Sequence, residues 1–215
     1  MSKTISEIYT EYKIMPLLQE HMLRVAGVAS MICDNINESL PKEEIITACL
    51  LHDMGNIIKS NFEFLPESLE PHGRAYWQKV KDDYIKKYGP NDHHANVQIL
   101  KELNLSASII DMVDKIQFSC LCKHRDENDM SMKIVAYADS RVSPYGIVSY
   151  EERMDEAETR YKLKNILEER ERTRLIECGK DTERQIFAKC IIKPEDINDT
   201  TAAPIISKLR DFVIK

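Results

Sequence analysis

Apolar side chains recur along this chain every third or fourth position and almost nowhere in alternation, a rhythm that predicts helices and no sheet. Pro16 suits a first helical turn, and Leu17, Leu18, His21, Val25, Val28 and Ile32 follow at helical spacing to about Asp34. Pro41 opens a second helix whose stripe holds Ile45, Ala48, Cys49 and His52, with Gly55 just beyond its end. Residues 56–72 read as irregular, punctuated by Pro66 and Pro71. A polar amphipathic helix is expected from about Gly73 to Lys87. Asp92 then caps a helix to about Leu103, and Ser106 caps another to about Phe118. Asn128 or Asp129 starts the next, which carries Met132, Val135, Ala136 and Asp139 ahead of a turn at Ser143-Pro144-Tyr145-Gly146. Ser149 and Glu152 have capping-box spacing for a long charged helix to about Glu177, stopped by Gly179. Asp181 caps a short helix after it, and Pro194 and Pro204 punctuate a helical tail. The expected fold is all-α.

Composition narrows the class without naming an activity. At 215 residues, with 43% apolar and 31% charged side chains, the chain suits one domain, or one domain with an appended subdomain, and a core that needs no disulfides. A net charge of −6 argues against a sequence-independent grip on nucleic acid. No apolar run approaches the ~18 residues of a membrane span, and Glu7 and Glu11 interrupt any signal-like segment, so a cytoplasmic protein without membrane contact is expected. The six cysteines are then expected to be reduced thiols. Cys120-Leu121-Cys122-Lys123-His124 lacks a second cysteine pair to complete a zinc tetrahedron. Nothing in the sequence sets an oligomeric state.

Polar residues on apolar stripes carry the chemistry. His21 follows Leu17 by four residues and precedes Val25 by four, so it points where the apolar face points. His52 shares a face with Ile45, Ala48 and Cys49, and Asp139 follows Val135 by four. A buried carboxylate without a partner is costly, so Asp139 calls for a cation or strong donors. Asp53 adjoins His52 at a helix end, where the backbone can turn and bring both side chains onto one target. Two neutral imidazoles and two carboxylates carry −2, which one divalent cation balances. Mixed nitrogen and oxygen donors suit Mn²⁺, Fe²⁺, Co²⁺, Ni²⁺ or Zn²⁺.

The order His … His-Asp … Asp, with ACLLHDMGN around the doublet and KIVAYAD around the last aspartate, resembles the HD-domain superfamily of metal-dependent phosphohydrolases. The resemblance covers roughly residues 16–145. It implies a single HD-type helical bundle over residues 1–145, with residues 146–215 as a C-terminal helical extension packed on it. It also implies His21, His52, Asp53 and Asp139 as metal ligands, with Asp53 additionally orienting the attacking water. Many members read HDIGK, whereas Asn56 stands here in place of the lysine. Binuclear members add histidines between the doublet and the last aspartate. His93 or His94 supplies one candidate for a second metal, while the segment MVDKIQF lacks the next, so a single metal is preferred.

The expected reaction is cleavage of a phosphate monoester or anhydride, with a nucleotide among the candidate substrates, by metal-activated water. His93 and His94, at a helix N-terminus that favours neutral imidazole, are candidates for proton donation. Arg24, one turn after His21, is a candidate phosphate ligand, as are Lys115 and Arg141. The competing readings are a non-hydrolytic regulatory module that binds a nucleotide or a protein, and a di-iron oxygenase on the same scaffold. The histidine missing around residues 113–117 counts against the oxygenase.

Overall fold

The computed structural model describes residues 2–63, 66–162 and 168–214. Its elements are α-helices apart from two-residue strands and short 3-10 turns. Strand β1 (Lys3–Thr4) leads into α1 (Ile5–Glu11), a helix beyond those the apolar spacing predicts. Its start is nonetheless encoded: the Thr4 backbone N–H donates to Glu7 Oε2 at 2.7 Å and the Thr4 hydroxyl accepts from the Glu7 N–H at 3.3 Å, a capping box. The long α2 (Pro16–Asn35) begins with the proline at its first turn, as expected. In α3 (Lys42–Leu51) every residue from Ile45 to Leu51 is buried, so this helix is enclosed all round.

A 3-10 turn (Asn56–Lys59) follows, then α4 (Arg74–Tyr88), α5 (Asp92–Glu102) and α6 (Ala107–Lys115). Helix α6 stops short of Phe118 because side chains take its last carbonyls. His93 Nε2 donates to the Asp114 carbonyl at 2.6 Å, and His124 Nε2 to that of Lys115 at 3.1 Å. The chain then makes a 3-10 turn at Phe118–Cys120, a short α7 (Leu121–Asp126) and α8 (Met130–Asp139). The expected turn at Ser143–Gly146 is the tip of a small hairpin, β2 (Val142–Ser143) paired antiparallel with β3 (Gly146–Ile147). After α9 (Tyr150–Lys162), α10 (Glu169–Phe187) and α11 (Asp199–Leu209), strand β4 (Val213–Ile214) returns to pair antiparallel with β1, joining the two ends of the chain.

Helix α2 is the spine: α3, α8 and α11 all pack against it, and α3 also packs on α8. Met22, Val25, Val28 and Ile32 of α2 meet Ile45, Leu50 and Leu51 of α3 in one apolar core that continues through Ile134, Val135 and Ala138 of α8. No described helix is long and apolar enough to cross a membrane.

Three expectations are corrected. The charged helix from residue 150 does not end at Gly179; residues 163–167 of the predicted span lie outside the described residues, and Gly179 sits within α10. A side chain there would run into the ring of Tyr150, so the glycine serves close packing of α9 on α10 rather than termination. Asp181 likewise lies inside α10 and caps nothing. The thiols are not all reduced: Cys122 of α7 and Cys178 of α10 form a disulfide, while Cys33, Cys49, Cys120 and Cys190 are free.

Candidate metal centre

Three helix segments deliver the candidate ligands. His21 lies in the second turn of α2, His52 caps the C-terminus of α3, Asp53 begins the turn after it, and Asp139 is the last residue of α8. Because α2, α3 and α8 pack against one another in every pairing, the four side chains converge at one end of their shared core. His21 Nε2 is 3.1 Å from Asp139 Oδ1 and 3.8 Å from Asp53 Oδ2. His52 Nε2 is 3.4 Å from Asp139 Oδ1 and 3.6 Å from Asp53 Oδ2. Donor atoms of His21, His52 and Asp53 all lie within 4.8 Å of one another, the only grouping of that kind among the described residues.

The chemistry of His52 shows what the arrangement fits. Its Nδ1 donates to the Cys49 carbonyl at 2.8 Å; a carbonyl can only accept, so Nδ1 carries the proton and a neutral ring presents its lone pair at Nε2. That Nε2 is buried and has no hydrogen-bond partner, although two carboxylates stand close by. A buried nitrogen left open between carboxylates matches a cation ligand.

Charge in the metal-free site follows from the same contacts. Burial alone would push His52 down, but Asp53 and then Asp139 outweigh it and bring the imidazole up to about 9. Burial alone would raise Asp139, yet the hydrogen bond from His21 and the charge of both nearby imidazoles hold its carboxyl well below the usual carboxylate range. The cluster therefore favours a protonated His52 at neutral pH. The Asp139 side chain retains 32% exposure and His21 17%, so the cluster opens to solvent on the side away from His52, which is 2% exposed.

The turn carrying the doublet is clamped by a residue that sequence reasoning missed. Asn96 of α5 is buried; its Nδ2 donates to the His52 carbonyl at 2.6 Å and its Oδ1 accepts from the Gly55 N–H at 2.5 Å. The two bonds bracket Asp53 and fix the backbone between them. Gly55 is required at this contact, since a Cβ would stand 2.5 Å from the Asp92 carbonyl oxygen and 3.1 Å from the Asn96 nitrogen. The signal for Asn96 was present: it lies on the apolar stripe of α5 with Ile99 and Leu100, as His21 does on α2.

The remaining candidates fall elsewhere. His93 and His94 do not join the cluster. The Nε2 proton of His93 is committed to Asp114 at the end of α6, and His94 is exposed, its backbone N–H donating at 2.7 Å to Asn91, which caps α5 in place of the expected Asp92. A second metal through either histidine therefore finds no grouped donors among the described residues. Lys115 pairs with Asp111 on the surface of α6 at 2.5 Å. Arg24 borders a shallow cavity of about 340 Å³ between α2 and α11, with its Nε 3.4 Å from Asp199 Oδ1.

Arg141 is corrected outright. It is 2% exposed and donates to the carbonyls of Val148, Pro194 and Ile197 and to the Tyr137 hydroxyl, which ties the end of α8 to two segments of the extension and commits four of its five N–H groups to the protein itself. The Cys120–His124 run is no metal site either, because Cys122 is in the disulfide and His124 donates to Lys115.

No curated protein and no solved structure matches the chain. Residues 18–140, more than half of its length, match the family model described as HD domain, and the matched span runs from the helix of His21 to just past Asp139. The chain therefore belongs to the HD-domain family.

Proposed function

We propose that this HD-domain protein is a metal-dependent phosphohydrolase that cleaves a phosphate monoester or anhydride, with a nucleotide as the foremost candidate. What supports the reading most is the open, buried Nε2 of His52 facing two carboxylates, a donor set that a divalent cation completes. His21, His52, Asp53 and Asp139 would hold one Mn²⁺, Fe²⁺, Co²⁺, Ni²⁺ or Zn²⁺ ion. Such an ion supplies a water of lowered pKa and neutralises charge on a phosphoryl oxygen.

The chain's own groups do the rest. The Cys49 carbonyl keeps His52 in the tautomer that presents Nε2. Asp53 turns Oδ2 toward the histidines, leaving Oδ1 to accept a proton from the attacking water and orient it. Asp139 supplies the second carboxylate of the set, Oδ1 facing both imidazoles from the open side of the cluster. Arg24, one turn after His21 on α2, is the proposed phosphate ligand, and binding a phosphoryl group there would require release of its exposed partner Asp199. The test is phosphate release from a panel of nucleotides and simple phosphoesters with Mn²⁺ or Co²⁺. Wild type is expected to release phosphate and Asp53→Asn to lose at least about a hundredfold in rate; equal rates would remove Asp53 from the mechanism.

A further inference from the structure

In the doublet's turn, the Asn56 side chain makes one hydrogen bond and leaves its oxygen open. Asn56 opens the 3-10 turn, and its backbone is pinned on both sides: its N–H donates to the Asp53 carbonyl at 3.0 Å and its own carbonyl accepts from Ser60 Oγ at 3.1 Å. The side-chain Nδ2 donates to Asp53 Oδ2 at 2.5 Å. That Oδ2 is the Asp53 oxygen measured against both histidines, 3.8 Å from His21 Nε2 and 3.6 Å from His52 Nε2. The amide has one sensible orientation, because rotating it by half a turn would set its oxygen against a carboxylate. In that orientation Oδ1 is buried and has no hydrogen-bond partner. A buried acceptor left open is costly unless something arrives to donate to it.

We propose that Asn56 is a positioning residue for the metal centre, holding Asp53 Oδ2 toward the histidines through Nδ2 and offering Oδ1 as acceptor to a donor that enters with the cation. This rests on the metal-binding reading above and adds to it a neighbour that fixes a ligand without touching the ion. A neutral amide suits the task. It steers the carboxylate by a hydrogen bond and sets no positive charge beside the cation.

The experiment titrates metal-free wild type and Asn56→Ala with Co²⁺, following affinity and the visible absorption bands, with thermal unfolding of both metal-free proteins alongside. Asn56→Ala is expected to bind Co²⁺ about tenfold or more weakly, with shifted bands, while unfolding close to wild type. Affinity within about threefold of wild type, with the same bands, overturns the proposal. Wild type that binds no Co²⁺ overturns the metal-binding reading itself, and this inference with it. If Asn56→Ala does not fold, the side-chain amide resonances of Asn56 in wild type decide. They are expected to move on Zn²⁺ addition, and resonances that stay in place overturn the proposal.

Discussion

Arg141 stands two residues past a candidate metal ligand, where a basic side chain invites a phosphate-binding role, yet the structure makes it a buried brace. Its guanidinium donates to Val148 O at 2.5 Å, Tyr137 Oη at 2.6 Å, Ile197 O at 3.0 Å and Pro194 O at 3.2 Å. Hydrogen bonds to a charged group contribute about 1.5–3 kcal/mol each, so four would sum to at least ~6 kcal/mol if independent. They share one group, and water would enter the space left by truncation, so the expected cost of Arg141→Ala is about 3–5 kcal/mol. For a chain of this size that lowers Tm by about 6–20 °C. Arg141→Lys keeps the charge but not the planar fork, and should lose roughly half as much. Urea denaturation of the metal-free proteins measures the loss, and Co²⁺ titration of the folded variants should find affinity within about twofold of wild type. A stability loss below about 1 kcal/mol, or a rise in KM for substrate at unchanged stability, would refute the structural role.

The metal-free site should also show a distinctive pH response. The imidazole of His52 rises from 6.5 to about 9, so its contribution to stability is complete below about pH 6.5 and is lost as pH rises through 9, at most about 3 kcal/mol. Asp139, held below its ordinary 3.8, contributes above that pH and ceases to as pH falls through its lowered value. Urea denaturation in chelator should therefore show stability declining from pH 6.5 to 9, whereas Co²⁺ affinity rises over the same range as the His52 proton is displaced; metal-free stability that increases with pH contradicts the site electrostatics. The Cys122–Cys178 bridge closes a loop with a sequence separation of 56, which corresponds to about 4 kcal/mol of loop-closure entropy in the unfolded chain. Reductant should destabilise wild type by about that amount and leave Cys122→Ser/Cys178→Ser unaffected; wild type that is equally stable in reductant speaks against the bridge.

Much of the site was legible because it violates local rules. His21 on the apolar face of α2, His52 on that of α3 and Asp139 at the end of an apolar α8 each break the pattern that buries only apolar groups, and the structure brings them within 3.4 Å of one another in pairs through Asp139 Oδ1. Asp53 was legible from its place at a helix end. What stayed hidden depends on partners remote in sequence. Arg141 finds acceptors at Pro194 and Ile197, Cys178 finds Cys122, and Gly179 is a glycine because Tyr150 lies on it. A local reading assigns those three a phosphate ligand, a free thiol and a helix stop, and only the packing of the extension, α10 included, reverses it. Asn96 belongs between the two groups: its position on an apolar stripe was visible, but its bonds to the backbone at His52 and Gly55 were not.

The proposed function stands on His21, His52, Asp53 and Asp139 together holding a divalent cation. The direct measurement is elemental analysis of wild type and Asp139→Ala after loading with Co²⁺ and removal of free ion. One equivalent of metal is expected in wild type and almost none in Asp139→Ala, with the fold retained. One equivalent in both proteins, or none in wild type, contradicts it.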